Sequence, residues 1–404
     1  MPCRSGFRRA HYSPRVTTGS RVLLTVDEGL GSLAAVRALR SAGHEPFAGT
    51  WRPDTYAARS RAVAGHVALP DPQLEPDAHA QTIVRVVERE RFAAVLPGTE
   101  LSLQALADHP IELPHGTVLG LDSADALARA TDKRLLHRLA SEAGLDALPQ
   151  RVHTGATLDD KGAGMELPVV VKPLRSVQPA TGSGLDVVEV RSARTTEELH
   201  AAVAHAPDRT WLVEPLVKGT LEAVCGVAWR GELVCAMHQE SPRIWLPDQG
   251  ISSFACTVRP DFEREARIRT LVADLGWSGI FGLQSLRVHG RSYVIDFNPR
   301  VYGSIALAVA AGHNLPAIWV ELLLGRRPRV GPYAIGVAYR VLVNDLRAIG
   351  HMWRAGRRRD ALTALVPRRG TVHGALEARD PRPLLAGLHR VRRRLVRARA
   401  ELSA

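Results

Sequence analysis

Short apolar runs alternate with amphipathic segments over the first 120 residues of the chain. The run Arg21–Val26 predicts a strand, which is followed by a glycine-containing turn and an amphipathic helix from Leu33 to Ala42. The elements after these are predicted as a strand at His44–Thr50, a helix at Gln81–Arg91 and a strand at Ala93–Pro97. Strands that alternate with helices are typical of a parallel α/β domain, which we place at residues 21–121.

The turn between the first strand and the first helix contains Gly29 and Gly31. A turn of this kind at a helix N-terminus can bind a phosphate through its free backbone N–H groups. The full Gly-x-Gly-x-x-Gly pattern is absent, because Ala34 stands at its third position. We therefore interpret the segment as a tight structural turn and keep a dinucleotide site as the alternative.

From Asp122 onward the pattern changes to helices mixed with strand pairs. The predicted helices are Ser123–Ala130, Lys133–Ala143 and Thr196–Ala204, and the predicted strands are Val169–Pro173, Asp186–Val190, Trp211–Glu214, Glu222–Trp229 and Glu232–Met237. This change separates a second domain, at residues 122–328, from the first. Residues 329–404 are predicted to form a helical, basic C-terminal extension.

Positive charge is concentrated at the two ends of the chain. The formal net charge is +12, and residues 351–404 hold fourteen Arg against four acidic residues. Residues 1–20 add four Arg with no apolar core after them, so we expect a disordered leader there. The body from residue 21 to 350 is near neutral, which argues against a nucleic-acid groove. The tail Leu384–Arg399 is interpreted as a solvated Arg-rich helix, with a membrane- or nucleic-acid-binding helix as the alternative.

Apolar stretches and cysteines place further limits on the class of protein. No apolar stretch reaches the roughly eighteen residues that a membrane span needs. The four cysteines show no Cys-x-x-Cys spacing, which is typical of reduced thiols rather than of a disulfide framework or a zinc site. We therefore expect a cytoplasmic protein without a membrane span.

Lysine is rare in this chain, since only four of its 53 basic residues are Lys. One of them, Lys172, ends the apolar run Val169–Val171 and precedes a loop of small residues. A buried ammonium group needs an anion, and the free N–H groups of such a loop offer a nest for one. The segment therefore predicts a phosphate clamp, and the alternative is a lysine that leaves the sheet edge into water.

Two carboxylates flank a turn at Lys218–Gly219. Glu214 ends an apolar strand, and Glu222 opens the next one. A hinge of this kind can present backbone groups to a flat base, while a carboxylate accepts from ribose hydroxyls. The alternative is a pair of exposed loop carboxylates.

The segment Phe281–Arg300 predicts a β-hairpin that turns at Gly290. A register symmetric about Gly290 places Gln284 directly opposite Asp296. In this register Asp296 shares its face with Asn298, Val294, Leu286 and Val288. Oxygen-bearing side chains two positions apart lie about 7 Å apart along a strand, so that they can flank a hard cation. The hairpin therefore predicts a metal site, and the alternative is an Asp296–Arg300 ion pair.

These motifs together resemble those of the ATP-grasp superfamily, from about Arg21 to Gly325. The matching segments are Thr131-Asp132-Lys133, Val169-Val170-Val171-Lys172-Pro173, Thr181-Gly182-Ser183-Gly184, Glu214 with Glu222, and Asp296-Phe297-Asn298-Pro299-Arg300. The resemblance implies an α/β domain followed by an ATP-grasp fold, in which two α+β lobes hold ATP between them. Within the superfamily, the chain looks most similar to the ATP-grasp halves of the carbamoyl-phosphate-synthase large subunit.

The resemblance also implies a role for each matching residue. Its implied ATP-binding residues are Lys133, Lys172, Gly182, Ser183, Gly184, Glu214, Leu216 and Glu222, of which the glycine-serine segment is a flexible lid. Its implied metal ligands, for Mg²⁺ or Mn²⁺, are Gln284, Asp296 and Asn298. Catalysis is assigned to Arg300, which would steady the transferred phosphate, together with Lys172. Gln284 stands where a carboxylate is more common in the family, which lowers the negative charge of the site, and Asp296 is one methylene shorter than the usual Glu.

The reaction implied by the resemblance joins a small-molecule carboxylate to an amine through an acyl phosphate. A loop from His238 to Ser253 resembles the segment that faces the acceptor in such ligases, and Arg243 is its candidate for carboxylate recognition, with a surface arginine as the alternative. Two other functions stay open: phosphorylation of bicarbonate or carbamate, and a nucleotide-binding regulatory protein with weakened metal chemistry. A homodimer is also left open.

Overall fold

The computed structural model of this protein describes residues 19–154, 165–180, 182–204, 209–245, 251–366 and 368–387. Three predicted features lie wholly or largely outside the described residues: the leader, the tail helix and Thr181 of the small-residue loop. Within the described ranges, no helix is long and apolar enough to cross a membrane.

A five-stranded parallel sheet forms the N-terminal domain and confirms the α/β prediction. Its elements are β1 (Arg21–Thr25), α1 (Leu30–Ser41), β2 (Glu45–Thr50), β3 (Gly65–Ala68), α2 (Pro76–Glu90), β4 (Ala94–Leu96), α3 (Glu100–Asp108) and β5 (Val118–Leu119). The strands lie in the order β3-β2-β1-β4-β5. Both faces of β1 are covered, because Val22, Leu23 and Leu24 are fully buried, as is usual in a parallel sheet.

The glycine turn before α1 packs closely on the chain that follows the predicted hairpin. A Cβ atom on Gly31 would lie 2.5 Å from the carbonyl oxygen of Tyr302, so that only glycine fits there. This contact explains the glycine by packing and supports the structural interpretation of the turn. It also places the start of α1 beside the end of the hairpin.

A four-stranded antiparallel sheet with one covering helix forms the small lobe. The elements of this region are α4 (Ala124–Thr131), α5 (Lys133–Glu142), β6 (Asp146–Ala147), β7 (Arg151–Thr154), β8 (Val169–Pro173), β9 (Val177–Pro179), β10 (Leu185–Val187), β11 (Arg191–Ala193), α6 (Thr196–Ala204) and β12 (Thr210–Pro215). The sheet order is β11-β8-β12-β7. The strand predicted at Asp186–Val190 is only partly confirmed, because β10 ends at Val187 and β11 begins at Arg191.

An eight-stranded sheet is the centre of the remaining structure. Its further elements are β13 (Thr220–Trp229), β14 (Glu232–Trp245), β15 (Ile251–Thr257), α7 (Phe262–Leu275), β16 (Gly279–Val288), β17 (Arg291–Asn298), α8 (Ile305–Ala310), α9 (Leu315–Leu323), β18 (Ala338–Arg340), α10 (Leu342–Arg354), α11 (Arg358–Leu365) and β19 (Val372–His373). The order is β19-β18-β15-β14-β13-β16-β17-β6. Side chains of β13 alternate between two cores: Cys225 packs with α1, α8 and α9, and Val224 packs with α4, α5 and α7.

The hairpin of β16 and β17 pairs Gln284 with Asp296, as predicted, although the register next to the turn differs from the predicted one. The register next to the turn pairs Val288 with Arg291, and it shifts by one residue between Gln284 and Ser285. This bulge reverses the alternation of side chains along β17. The prediction that Val294 shares the face of Asp296 is therefore wrong, since Val294 is fully buried in the core with α4, α5 and α7.

The C-terminal extension is only partly helical. It contains α10 and α11, but β18 and β19 join the edge of the eight-stranded sheet. Beyond them, the buried Asp380 accepts hydrogen bonds from the Ser60 hydroxyl, the Arg61 backbone N–H and the Arg37 guanidinium group. Burial raises the pKa of Asp380, but these donors outweigh burial and hold the pKa below its ordinary value. The extension is thus fixed to the N-terminal domain.

Candidate functional site

Gln284 lies between two cavities. The first, the lysine cavity, has a volume of about 210 Å³ and is lined by Lys133, Lys172 and Lys218, together with Glu214 and Asp296. The second, the Arg300 cavity, has a volume of about 380 Å³ and contains no other charged side chain among the described residues that line it. Gln284 lines both cavities, so the hairpin is a shared wall.

Lys172 is buried at the end of β8, where its ammonium group pairs with Glu214. The Nζ atom lies 2.6 Å from Oε2 of Glu214 and donates to the Ile295 carbonyl oxygen at 3.2 Å. Gln150 donates to the other carboxylate oxygen of Glu214 at 2.7 Å. Burial raises the pKa of Glu214, but Lys172 and His137 hold the pKa below its ordinary value. The ammonium group thus has a carboxylate partner within the chain, the predicted phosphate contact stays a prediction, and Lys172 lies on the cavity wall.

Lys133 connects the small lobe to the hairpin. It is the first residue of α5, whose N-terminus is capped by the side chain of Asp132 through the Leu135 N–H at 2.9 Å. Its Nζ atom donates to the Ser176 hydroxyl at 2.9 Å and lies 3.7 Å from Oδ1 of Asp296. The structure therefore brings together the two lysines and the hairpin carboxylate that the sequence singled out.

The hinge after β12 lines the lysine cavity from Glu214 to Gly219, as the sequence predicted. Two of its groups are already bonded within the protein. The Leu216 backbone N–H donates to the Pro168 carbonyl oxygen at 2.9 Å, and the Glu214 carboxylate binds Lys172. The Glu214 side chain is therefore a partner of Lys172, and the residues from Pro215 to Gly219 supply the rest of the hinge wall.

Glu222 lies outside the lysine cavity, contrary to the predicted ribose contact. It pairs across the sheet with Ser285, one position from the pair of Ala223 and Gln284. Neighbouring positions on a strand face opposite sides of the sheet, so Glu222 faces away from Gln284. Its carboxylate binds Arg264 at 3.0 Å and Arg287 at 2.9 Å. Glu222 is therefore part of an ion network behind the cavity.

We expect Glu222→Ala to weaken the fold without weakening nucleotide binding. Removing a buried carboxylate that is paired with two guanidinium groups should lower the free energy of unfolding by about 3 kcal/mol. Urea denaturation measures this loss, and the KM for ATP of the folded variant should stay within about twofold of the parent, since no nucleotide contact is lost. A large increase in KM at unchanged stability would restore the ribose role.

The glycine-serine segment Gly182–Gly184 does not line the lysine cavity. A Cβ on Gly184, which has a φ of +94°, would lie 2.4 Å from the Gln73 carbonyl oxygen. Leu185 continues this contact, because its backbone N–H donates to the same oxygen at 2.7 Å. The predicted lid therefore rests against the N-terminal domain in this structure.

The predicted metal ligands lie at two paired positions of the hairpin that are separated by the pair of Leu283 and Phe297. Gln284 pairs with Asp296, and Gly282 pairs with Asn298. The Asp296 side chain is 31% exposed, and Asn298 accepts a hydrogen bond from Arg300 at 3.3 Å. Oxygen donors of this kind suit Mg²⁺ or Mn²⁺, so the residues fit such an ion with a single carboxylate. Among the described residues, no group of three His, Cys, Asp or Glu side chains forms an alternative metal site.

Arg300 is held at the border of its cavity by two domains. Its Nε donates to Oε2 of Glu100 at 3.3 Å, and Nη1 donates to the Val301 carbonyl oxygen at 3.1 Å. Glu100 begins α3, directly after the carboxyl end of β4 in the N-terminal domain. The guanidinium group thus provides the Arg300 cavity with one fixed positive charge, which favours an anionic ligand.

Arg243 lines neither cavity, which argues against its predicted role in carboxylate recognition. Its Nε and Nη2 atoms donate to the fully buried Asp345 carboxylate at 2.6 and 3.0 Å. The guanidinium carbon also lies 4.1 Å from the centre of the Phe254 ring. Because both ends of its fork are bonded to Asp345, Arg243 stabilises the fold at the base of α10.

Sequence reasoning missed several residues of the site. Lys218 is the clearest case, since it is the third of four lysines to line the lysine cavity, and the scarcity of lysine was a sufficient signal. His137, Gln150 and Glu100 had no such signal, because their partners are distant in sequence. His137 is buried with its Nε2 3.5 Å from Glu214, and burial is the main reason that its pKa is lowered.

One family model matches part of the chain. Residues 208–344 match a family described as ATP-grasp in the biosynthetic pathway with Ter operon. The matched range includes the hinge, the hairpin and Arg300. No curated protein sequence matches the chain.

Solved structures share the fold over most of the chain. An L-amino acid ligase from Bacillus licheniformis has a TM-score of 0.55 and 15% identity, with 76% of this chain and 75% of that chain covered. N5-carboxyaminoimidazole ribonucleotide synthetase from Thermus thermophilus has a TM-score of 0.56 and 19% identity, covering 79% and 81%. Biotin carboxylase from Campylobacter jejuni, solved with a β-γ-ATP complex, has a TM-score of 0.57 and 13% identity, covering 78% and 74%.

Proposed function

Because the chain is a member of the ATP-grasp superfamily, we propose that it is an ATP- and Mg²⁺-dependent ligase. It activates a small-molecule carboxylate as an acyl phosphate, which an amine then attacks. The observation that carries this proposal is the position of Gln284 in the walls of both the lysine cavity and the Arg300 cavity. A phosphate donor in the first cavity and a carboxylate in the second would meet at that residue.

Two features support ATP binding in the lysine cavity: its positive charge and the hinge in its wall. The ammonium groups of Lys133 and Lys172 offset phosphate charge, and Lys218 adds a third cation from the hinge. Phosphoryl transfer depends mainly on such positioning and charge neutralisation. The base would lie along the hinge between Pro215 and Gly219.

Gln284, Asp296 and Asn298 would hold the magnesium ion. When bound, this ion neutralises charge on the phosphates that are being separated. Lys133 lies 3.7 Å from the Asp296 carboxylate, so the ammonium group and the ion share one anionic centre. The site then relies on lysine charge as much as on carboxylate charge.

The acceptor carboxylate is placed in the Arg300 cavity, where Arg300 is the one charged side chain among the described lining residues. A carboxylate oxygen forms a bond to the γ-phosphorus, and the bond from that phosphorus to the β,γ-bridging oxygen breaks to release ADP. The amine nitrogen then bonds to the acyl carbon, the carbon–oxygen bond to phosphate breaks, and the amine proton leaves to solvent. Arg300 holds the carboxylate and steadies the transferred group.

The experiment that tests this proposal uses hydroxylamine as a general amine. Purified protein is incubated with ATP, Mg²⁺, hydroxylamine and one carboxylate at a time from a panel of amino, hydroxy and aromatic acids. A ligase of this type releases ADP and forms a hydroxamate in equal amounts with its own carboxylate. ADP release without hydroxamate for every acid, or no release at all, would contradict it.

Bicarbonate is the second candidate acceptor, since two of the similar structures are a biotin carboxylase and an N5-carboxyaminoimidazole ribonucleotide synthetase. The Arg300 cavity, at about 380 Å³, lies within the range of sites that bind whole organic ligands, which favours a larger carboxylate. Bicarbonate-stimulated ADP release, with no response to the acid panel, would support this alternative. The cytoplasmic location and the homodimer stay predictions.

A pair of matched variants distinguishes the roles of Arg300 and Arg243. Arg300→Lys keeps the charge but loses the planar fork, so we expect kcat/KM for the carboxylate to fall about tenfold or more. Arg243→Lys keeps a charge beside Asp345 and lies outside both cavities, so kcat/KM should stay near the parent value. Steady-state ADP release measures both, and the reverse ranking would return substrate recognition to Arg243.

A further inference from the structure

A third cavity, the Arg340 cavity, lies at the C-terminal extension and has no role in the proposed reaction. Its volume is about 310 Å³. It is enclosed by the ends of β14, β15 and β18 on one side and by α10, α11 and β19 on the other. Four arginines and a histidine line it: Arg243, Arg340, Arg357, Arg368 and His373.

The cations of this cavity exceed its anions. Arg243 and Arg340 both bond to the single carboxylate of the fully buried Asp345. Arg357 pairs with Asp360 at 2.8 Å on the exposed rim. Arg368 has no ion pair within the part of the chain that the structure describes. Two carboxylates therefore face four guanidinium groups, so these six groups together carry a net charge of +2.

Aromatic and imidazole groups complete the wall of the Arg340 cavity. The guanidinium groups of Arg243 and Arg368 lie over the ring of Phe254, at 4.1 and 5.2 Å from its centre. This stacking holds both guanidinium planes beside the cavity. Arg243 donates through Nε and Nη2 to Asp345, whereas the fork of Arg368 has no ion pair among the described residues and can donate to a ligand. The Nδ1 atom of His373 is buried without a hydrogen-bond partner among the described residues. A ligand with several acceptor atoms would satisfy these groups.

The Arg340 cavity is separated from the Arg300 cavity by one strand. Tyr339 and Val341 line the Arg300 cavity, whereas Arg340 between them lines the Arg340 cavity. Successive side chains of a strand face opposite sides of the sheet, which explains this arrangement. A ligand here would lie behind the acceptor site and could not take part in the chemistry.

We propose that the Arg340 cavity is a binding site for a small dianion, such as an organic phosphate or a dicarboxylate. The net charge of +2 matches two negative charges, and planar guanidinium groups bind phosphate and carboxylate oxygens with two parallel hydrogen bonds. The cavity also lies within the size range of small-molecule sites. A dianion would bind in this cavity whether or not the protein is a ligase.

Calorimetric titration of the full-length protein with inorganic phosphate and, separately, with malonate tests this site. The double variant Arg357→Ala/Arg368→Ala removes the two exposed rim arginines and should lower the affinity about tenfold or more. The matched control is Arg359→Ala, an exposed arginine of α11 that does not line the cavity and should bind like the parent. Thermal unfolding of each variant confirms that the fold is retained.

Each outcome decides the proposal. Binding of both probes that is lost in the double variant supports a general dianion site, and loss confined to phosphate or to malonate identifies which of the two classes it takes. A parent protein that binds neither probe would overturn the proposal. Equal binding in the parent and the double variant would also overturn it, since the anion would then lie elsewhere, as in the lysine cavity.

Discussion

Replacing Asp296 with asparagine should lower turnover by roughly 100- to 1,000-fold, because a bound magnesium ion provides several kcal/mol of charge stabilisation. Asp296 is the one carboxylate among the three oxygen ligands of the hairpin, and neutral amides hold Mg²⁺ far more weakly. The fold should survive, since the side chain is 31% exposed and its ion partner, Lys133, also bonds to Ser176.

The matched variant for this prediction is Gln284→Glu on the opposite strand. It restores a second carboxylate at the position paired with Asp296, so it should keep activity or lower the Mg²⁺ concentration needed for half-maximal ADP release. Magnesium titrations of the parent and both variants make the comparison. Normal magnesium-dependent turnover in Asp296→Asn would show that the hairpin is not the metal site.

Lys172→Ala should abolish ATP turnover and destabilise the protein at the same time. Removing the ammonium group leaves the Glu214 carboxylate, which is 1% exposed, without its closest cation. An uncompensated buried charge of this kind costs about 3–5 kcal/mol of folding free energy. Chemical denaturation at pH 7 measures the loss. Because burial then raises the pKa of Glu214, the variant should be less destabilised in acid, where Glu214 takes up a proton.

The double variant Lys172→Ala/Glu214→Gln separates stability from nucleotide binding. It removes the buried charge together with its partner, so much of the lost stability should return. ATP turnover should stay absent, because the cavity still lacks an ammonium group at the end of β8. Recovery of turnover together with stability would show that Lys172 only supports the fold.

The sequence was sufficient to place the residues that lie near the ends of apolar strands. Lys172 follows three valines and Asp296 follows Val294 and Ile295, so their position near the end of a strand could be inferred from neighbours in the chain. The rarity of lysine made Lys133 and Lys172 conspicuous, which are two of the three lysines that line the cavity. Parallel strands around helices in the N-terminal domain were equally visible from local pattern.

Glu222 and Arg243 could not be assigned from the sequence because their partners are remote. Glu222 binds Arg264, 42 positions away, and Arg243 binds Asp345, 102 positions away. A charged residue on an extended strand has the same local pattern whether it faces a ligand or a buried counter-ion. Only the fold shows which of the two a charged residue faces. Side-chain direction alternates along a strand, so an error of one position in the register exchanges the two faces.

The bulge in β17 shows that one extra residue is enough to exchange the two faces of a strand. The pair of Gln284 and Asp296 was predicted correctly from a symmetric register, although the turn itself is centred half a residue earlier. One extra residue on β17 corrects the offset and sends Val294 into the core instead of toward the cavity. Nothing in the local sequence marks this position.

The measurement that tests the central claim most directly follows oxygen from the carboxylate. The acid identified by ADP release is prepared with ¹⁸O in its carboxyl group and is turned over with ATP, Mg²⁺ and an amine. Attack of a carboxylate oxygen on the γ-phosphorus predicts one ¹⁸O atom in the inorganic phosphate for each amide formed. Phosphate without label, or label in AMP instead, would contradict an acyl-phosphate ligase.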